Sequence, residues 1–394
     1  MLRALNLPET TMPQRLSFVG SILASVFALT ASGAERARDL GVPFEGSPGP
    51  LNAITDVAGV TVGQVTLIED LPDQRKVRTG VTAILPRGRD SIQANVYAAW
   101  FALNGNGEMT GTGWLDEGGQ LEGPVMLTNT HSVGVVRDAV IDWRVHAGPA
   151  DASGYFWSLP VVAETWDGEL NDINGFHVTS AHVFRALDGA TNGPVQEGNV
   201  GGGTGMICHD FKCGIGTASR RATTAGETYV VGALVQANYG MRETLRIAGV
   251  PVGAHLPRPK QPSPRADDSG SIIIVIATDA PLLPHQLKRI AKRAGMGLAR
   301  MGSYAGNGSG DIFIAFSTAN VAALRGGDKV QSVSIGNDSL NPLFQATVEA
   351  TEEAIVNAMV AARDMQGNAG SAANALPHAE LVRLLKKYGR YAAR

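Results

Sequence analysis

From residue 48 onward, short apolar runs alternate with glycine-rich breaks, and most runs carry the spacing of strands. Residues 48–68 alternate small or polar with apolar side chains and predict strand, turn, strand. Val81 to Leu85 is another strand, and Asp90 to Leu103 is a glycine-free stretch that breaks at Asn104-Gly-Asn-Gly107. Pro124 to Thr130 is an apolar run ending in polar residues, followed by a helix over Ser132 to Asp142. Leu159 to Thr165 repeats that pattern, Val178 to Leu187 has helical spacing, and Thr228 to Ala237 is a strand.

Residues 257–270 are proline-rich and charged, which suits an exposed linker. Immediately after them, Ile272 to Ile276 is a run of five β-branched apolar residues, the mark of a strand buried on both faces. Pro284 to Arg300 then reads as a helix with Leu287, Ile290, Ala291, Ala294 and Leu298 on one side. Asp311 to Ser317 is a strand. Pro342 to Ala362 is a long helix, with Asn341 placed to cap it and Pro342 in its first turn. Pro377 to Lys387 is a short final helix. Strands apolar on both faces need helices over both, so the pattern predicts an α/β fold with a covered sheet or pair of sheets.

Composition narrows this further. The 48 glycines among 394 residues are too many for a plain helical bundle and suit sharply turned loops on sheets. A net charge of −3 offers no polybasic footprint, which argues against nucleic acid and anionic membrane as partners. The run Gly201-Gly-Gly-Thr-Gly205 lacks both the Lys-Ser/Thr ending of a phosphate loop and dinucleotide spacing. Close backbone approach near a site explains it better.

At the N-terminus a basic flank at Arg15, an apolar core from Leu16 to Leu29 and small residues at Ser32 and Ala34 predict a secretory signal peptide over residues 1–34. Met12 is an alternative start. The apolar core is shorter than the about 20 residues a spanning helix needs. The expected location is therefore the periplasm or the outside of the cell, with no membrane span in the mature protein. Cys208 and Cys213 are the only cysteines. Free buried thiols, a disulfide, or an incomplete zinc site with His209 all remain open, free thiols being favoured.

The candidate chemistry lies at Gly270-Ser271, where the linker meets the buried strand. If that peptide bond were cut, Ser271 would carry a hydroxyl and a free α-amine together. The amine titrates at about 7.7–8.0, close enough to neutrality to take the hydroxyl's proton. One residue would then be nucleophile and base, and none of the eight histidines sits in a recognisable serine-hydrolase motif. Ser269 is the competing serine, but it precedes glycine and not the strand. Asn129, Thr130 and His131 end a strand and are candidates to line a pocket.

Four segments, Gly270 to Leu282, Gly308 to Thr318, Glu197 to Gly205 and Glu164 to Gly168, resemble the self-processing aminopeptidases of the L-aminopeptidase/D-esterase and β-aminopeptidase type. The resemblance runs through the chain after the signal, in the same order. It implies a four-layer αββα sandwich of the N-terminal-nucleophile type, formed jointly by residues 35–270 and 271–394 after self-cleavage. A homotetramer of such pairs, and no cofactor or metal, are implied with it. Carried over position by position, Ser271 is the nucleophile, and Ser309 with Asp311 orients its amine. Asn238 is the oxyanion donor, Glu164 receives the substrate's ammonium and Trp166 walls the pocket. Some members carry tyrosine at the position of Trp166, so a role needing a phenolic hydroxyl is absent here.

The implied activity is release of N-terminal amino acids (α-L, D or β) from short peptides, amides or esters that bear a free amine. Three rivals have distinct signatures. A self-cleaving acyltransferase of the ornithine acetyltransferase type would use threonine as nucleophile. An uncleaved serine hydrolase would stay one chain, and a non-catalytic binding protein would not be acylated.

Overall fold

The run from Ile272 to Ile276 governs the architecture, because a strand apolar on both faces must be covered on both. In the computed structural model of the chain, Ile272, Ile274 and Ile276 enter one buried cluster while Ile273 and Val275 enter another. The structure describes residues 35–148, 157–257, 270–321 and 329–393, all within one compact unit. The expected signal peptide (1–34) and most of the linker (258–269) lie outside the described residues.

The chain runs through β1 (Thr61–Asp70), β2 (Lys76–Arg89), β3 (Val96–Ala102), α1 (Thr112–Gly118), β4 (Gln120–Leu121), β5 (Val125–Asn129), α2 (Val133–Ala147) and β6 (Val161–Thr165). There follow α3 (Ser180–Asp188), β7 (Ile207–Cys208), β8 (Phe211–Lys212), β9 (Ile215–Thr224), β10 (Glu227–Asn238) and α4 (Val252–His255). After the linker come β11 (Ser271–Thr278), α5 (Pro284–Arg300), β12 (Gly310–Ser317), α6 (Asn341–Val360), β13 (Met365–Gln366), β14 (Ala372–Ala373) and α7 (His378–Lys387).

One sheet has the order β1-β2-β5-β6 and the other β4-β3-β12-β11-β10-β9. Their facing surfaces interdigitate, with Ile84, Leu127 and Ala163 meeting Leu234, Ile273, Val275 and Ile314. On the far side of the first sheet, Val136 and Val140 of α2 and Val183 of α3 cover Val81, Met126 and Val162. On the far side of the second, Leu287 and Ile290 of α5 and Ile355 of α6 cover Val235, Ile274 and Phe313. The layers are helix, sheet, sheet, helix. This is the αββα sandwich that the resemblance implies. β11 and β12 pair in parallel because α5 carries the chain back across the sheet between them.

Three local expectations are corrected. Residues 48–60 form no strand: the Asp56 carboxylate accepts from the N–H groups of Leu51 (2.9 Å) and Ala53 (3.1 Å), curling the segment into a 3-10 turn. Asn341 does not cap α6. A 3-10 turn at Asn337–Ser339 leads in, and Leu340, already at φ −82° and ψ −14°, takes the cap position; Pro342 keeps its first-turn place.

The cysteines differ as well. Cys208 and Cys213 are disulfide-bonded, with Cα atoms 5.4 Å apart, so they are neither free thiols nor thiolate ligands. The bridge staples the β7–β8 hairpin, whose loop residues His209 (φ 48°) and Asp210 (φ 60°) both take the left-handed conformation of a type I′ turn. His209 is fully buried, donates from Nδ1 to the Met241 carbonyl at 2.7 Å, and has its pKa pushed down to about 4 by burial. Closing so short a loop stabilises by about 2 kcal/mol on chain-entropy grounds. Chemical denaturation of a Cys208→Ser/Cys213→Ser protein should show a loss of that order; unchanged stability would mean the bridge contributes nothing.

Candidate active site

Ser271 opens β11 between Asn238, the last residue of β10, and Gly310, the first of β12. Its side chain faces the space between the sheets, on the same side as Ile273, and is 6% exposed. The Gly310 N–H lies 3.2 Å from Ser271 Oγ and 3.1 Å from the Gly270 carbonyl oxygen. A single donor thus holds the hydroxyl beside the carbonyl of the preceding peptide bond. Glycine is required at 270, since a Cβ there would sit 2.3 Å from the Asn238 carbonyl oxygen. It is required equally at 310, where a Cβ would meet the Asn106 carbonyl oxygen at 2.5 Å.

Ser309 and Asp311 flank Gly310 on the same strand end, and both are buried. Ser309 Oγ donates to Asp311 Oδ1 at 2.8 Å. The other carboxylate oxygen accepts from Asn104 Nδ2 at 3.0 Å, while the Asp311 N–H donates to Asn104 Oδ1 at 2.6 Å. Asn104 therefore grips Asp311 from both sides and fixes its carboxylate plane. The sequence shows Asn104 only as the break after a glycine-free stretch, which gives no sign of this role. Its partner lies 207 residues away.

Asn238 is held by its own amide. Oδ1 accepts from the Ile207 N–H at 2.9 Å, and Nδ2 donates to the Trp166 carbonyl at 2.7 Å. Those two bonds fix which end of the amide is nitrogen. The second also ties the end of β6 to β10, bringing Glu164 and Trp166 toward the Ser271 side of the fold.

Glu164 is 3% exposed, and no cation is hydrogen-bonded to it among the described residues. Oε1 accepts from the Glu108 N–H at 2.9 Å, and Oε2 accepts from the Thr130 hydroxyl. Burial pushes its pKa up, opposed in part by those two donors. A Cβ at Gly107 would fall 3.1 Å from Gly310 Cα and 3.4 Å from Glu164 Oε1, so a bare glycine lies between the start of β12 and the carboxylate. Trp166 is half exposed beside Glu164, and the exposed rings of His131 and Phe176 stack at 5.9 Å. Of the strand-end trio, Thr130 reaches the site. Asn129 instead caps the following turn and donates to Thr79. The glycine run 201–205 packs tightly behind the site, where a Cβ at Gly202 would stand 2.1 Å from Gln236 Oε1. That explains its composition.

The sequence pattern of peptidase family S58 matches residues 52–373. The chain belongs to peptidase family S58. This S58 member is 55% identical to the beta-peptidyl aminopeptidase BapA of Sphingosinicella microcystinivorans, over 95% of this chain and 98% of that protein. It is similar to the L-aminopeptidase D-Ala-esterase/amidase of Ochrobactrum anthropi, a solved structure described as a variant of the Ntn hydrolase fold. There the identity is 50% and the TM-score 0.85, over 91% of this chain and 100% of that one. A Burkholderia sp. beta-aminopeptidase matches with 50% identity and a TM-score of 0.82, over 90% and 99% of the two chains. In this S58 peptidase, Gly270, Ser271, Ser309, Asp311 and Asn238 gather at adjacent strand ends of one sheet. Glu164 and Trp166 come from the end of the other.

Proposed function

We propose that the chain cuts itself between Gly270 and Ser271 and then works as an N-terminal serine aminopeptidase. The observation that carries this is the Gly310 N–H set against both the Ser271 hydroxyl and the Gly270 carbonyl. In the first step Ser271 Oγ attacks the Gly270 carbonyl carbon, and the negative charge develops on an oxygen that the Gly310 N–H already faces. The Gly270 C–N bond breaks, its nitrogen takes a proton, and an ester joins Gly270 to Ser271 Oγ. Water hydrolyses that ester, leaving a carboxylate on Gly270 and a free amine on Ser271. Ser271 has no free amine before this cut, so the proton from its hydroxyl must go elsewhere at first. The Ser309–Asp311 pair, on either side of the Gly310 whose N–H holds the hydroxyl, is the acceptor system this reading assigns.

Cleavage then creates the base for turnover. The new amine takes the hydroxyl proton, directly or through a water, and Oγ attacks the substrate's carbonyl. Ser309 and Asp311 hold the amine in orientation. Asn238 Nδ2 donates to the oxyanion, the departing amine takes the proton, and water releases the acyl group. Glu164 receives the substrate's ammonium as a charge-assisted pair, which restricts the enzyme to free N-termini. The substrates are short peptides, amides or esters, matching relatives named for both β-peptidyl and L-aminopeptidase activities.

Two further readings accompany this one. The Cys208–Cys213 bridge favours an oxidising compartment, in keeping with removal of residues 1–34 and a periplasmic or extracellular location. Residues 35–270 and 271–394 stay associated, because β11 and β12 lie inside the sheet that β3 and β10 complete, and the pairs assemble as a homotetramer. N-terminal sequencing of active protein tests the core of the reading. A sequence beginning Ser-Ile-Ile-Ile is expected; active material without that species overturns the proposal.

A further inference from the structure

Two buried charges close to the site have no part in the chemistry above. Lys212 is completely buried, and its Nζ donates to the carbonyl oxygens of Met206 and Cys213, each at 2.6 Å. Asp167 is 1% exposed, accepts from Asn171 Nδ2 at 3.0 Å and interacts electrostatically with Lys212. Burial pushes the Asp167 pKa up to about 7 and that of Lys212 well below the ordinary lysine value, with Asp167 opposing the latter shift. A buried lysine is a costly way to satisfy two carbonyls that one water, with its two donor hydrogens, could serve. Its location suggests what it is for.

The Met206–Ile207 peptide receives Lys212 at its carbonyl and gives its N–H to Asn238 Oδ1 at 2.9 Å. The other anchor of Asn238 is the Trp166 carbonyl, in the peptide that leads directly into Asp167. Each end of the Asn238 amide is therefore one peptide plane from a buried ionisable group. Drawing density toward the Met206 oxygen makes the Ile207 N–H a stronger donor. That in turn polarises the Asn238 carboxamide and makes its Nδ2–H groups stronger donors. The Cys208–Cys213 bridge holds the hairpin carrying Lys212 against this relay.

We infer that Lys212 is a positioning residue that, with Asp167 as the ionisable group nearest it in the electrostatics of the site, orients and polarises Asn238 through the Met206–Ile207 peptide. The inference rests on the reading of Asn238 as the oxyanion donor. It adds a reason why that amide is preorganised, since a donor fixed and polarised in advance needs no rearrangement as charge develops.

The test is a double-mutant cycle on cleaved enzyme, with kcat expressed per Ser271 N-terminus so that incomplete processing does not enter. Asn238→Ala is expected to lower kcat on an amino-acyl amide by about 10²–10³-fold. Lys212→Met should lower kcat by about 10–10²-fold while KM stays within about twofold. In the Asn238→Ala background, Lys212→Met should cost almost nothing further. Lys212→Met/Asp167→Asn, which removes both charges together, guards against simple misfolding and should show the same kcat loss with the wild-type KM. If Asn238→Ala keeps its kcat, the oxyanion reading itself fails. If Asn238→Ala is crippled but Lys212→Met is silent, acts on KM, or multiplies with it, Lys212 is merely structural and the inference is overturned.

Discussion

A Ser271→Ala protein is expected to run as one band of precursor size on a denaturing gel and to lack aminopeptidase activity. The substitution removes one oxygen and leaves the Cβ, so the strand keeps its packing between β10 and β12. The Gly310 N–H loses one of its two acceptors and retains the Gly270 carbonyl at 3.1 Å, so no buried donor is orphaned. Stability should change by no more than about 1 kcal/mol. The chemistry, by contrast, loses its nucleophile twice over. Self-cleavage has no oxygen to receive the Gly270 acyl group, and without cleavage no α-amine appears at residue 271. Loss of a nucleophile of this kind lowers kcat by about 10⁶-fold. Two bands from the Ser271→Ala protein would show that another group cuts the chain, and the mechanism would fall. Ser271→Cys separates the two functions, since a thiol supplies a nucleophile of similar shape; it should still process.

How much of this is visible in the sequence depends on how local each cause is. The run Ile272–Ile276 predicts cover on both faces because every residue in it is apolar, whichever way it points. Pro284 to Arg300 matches α5 residue for residue, since Pro284 opens the helix and the 3.6-residue period runs unbroken. Residues 48–60 mislead because the bonds from Leu51 and Ala53 to the Asp56 carboxylate override an alternating pattern. Pairing of Cys208 with Cys213 turns on a hairpin whose two loop residues take positive φ without being glycine, which spacing alone does not reveal. Among the site residues, Ser271 is legible because a linker meets a buried strand there and the segments at 164–168, 197–205 and 308–318 resemble the same family. Asn104 and Lys212 are not. Asn104 acts on a carboxylate 207 residues away, and Lys212 sits next to a cysteine in a segment that reads as an ordinary polar turn.

Glu164→Gln is expected to lower kcat/KM for substrates with a free amine by about 10²–10³-fold, mostly through KM. The figure follows from removing one partner of a buried charge pair, about 2–5 kcal/mol. Gln is isosteric, and its carbonyl oxygen can still accept from the Glu108 N–H, so the fold should be intact. The pH dependence adds a sign. Burial raises the Glu164 pKa, so in the free enzyme the carboxylate protonates before an ordinary glutamate would as the pH falls. An ammonium ligand binds the charged form, so its affinity should be full above this raised pKa and should decline as the pH drops through it. The Ser271 amine complicates kcat, because it must be unprotonated to act and so imposes a separate acid limb near about 7.7–8.0. Competitive inhibition by a simple primary amine isolates the first group from the second. Its Ki should rise at low pH in the wild type and lose the acid limb owed to Glu164 in Glu164→Gln. Discrimination against N-acetylated substrates should collapse in the same variant, since nothing would then favour the ammonium over a neutral amide. A Glu164→Gln enzyme that keeps its KM and still rejects acetylated substrates would move amine recognition to another residue.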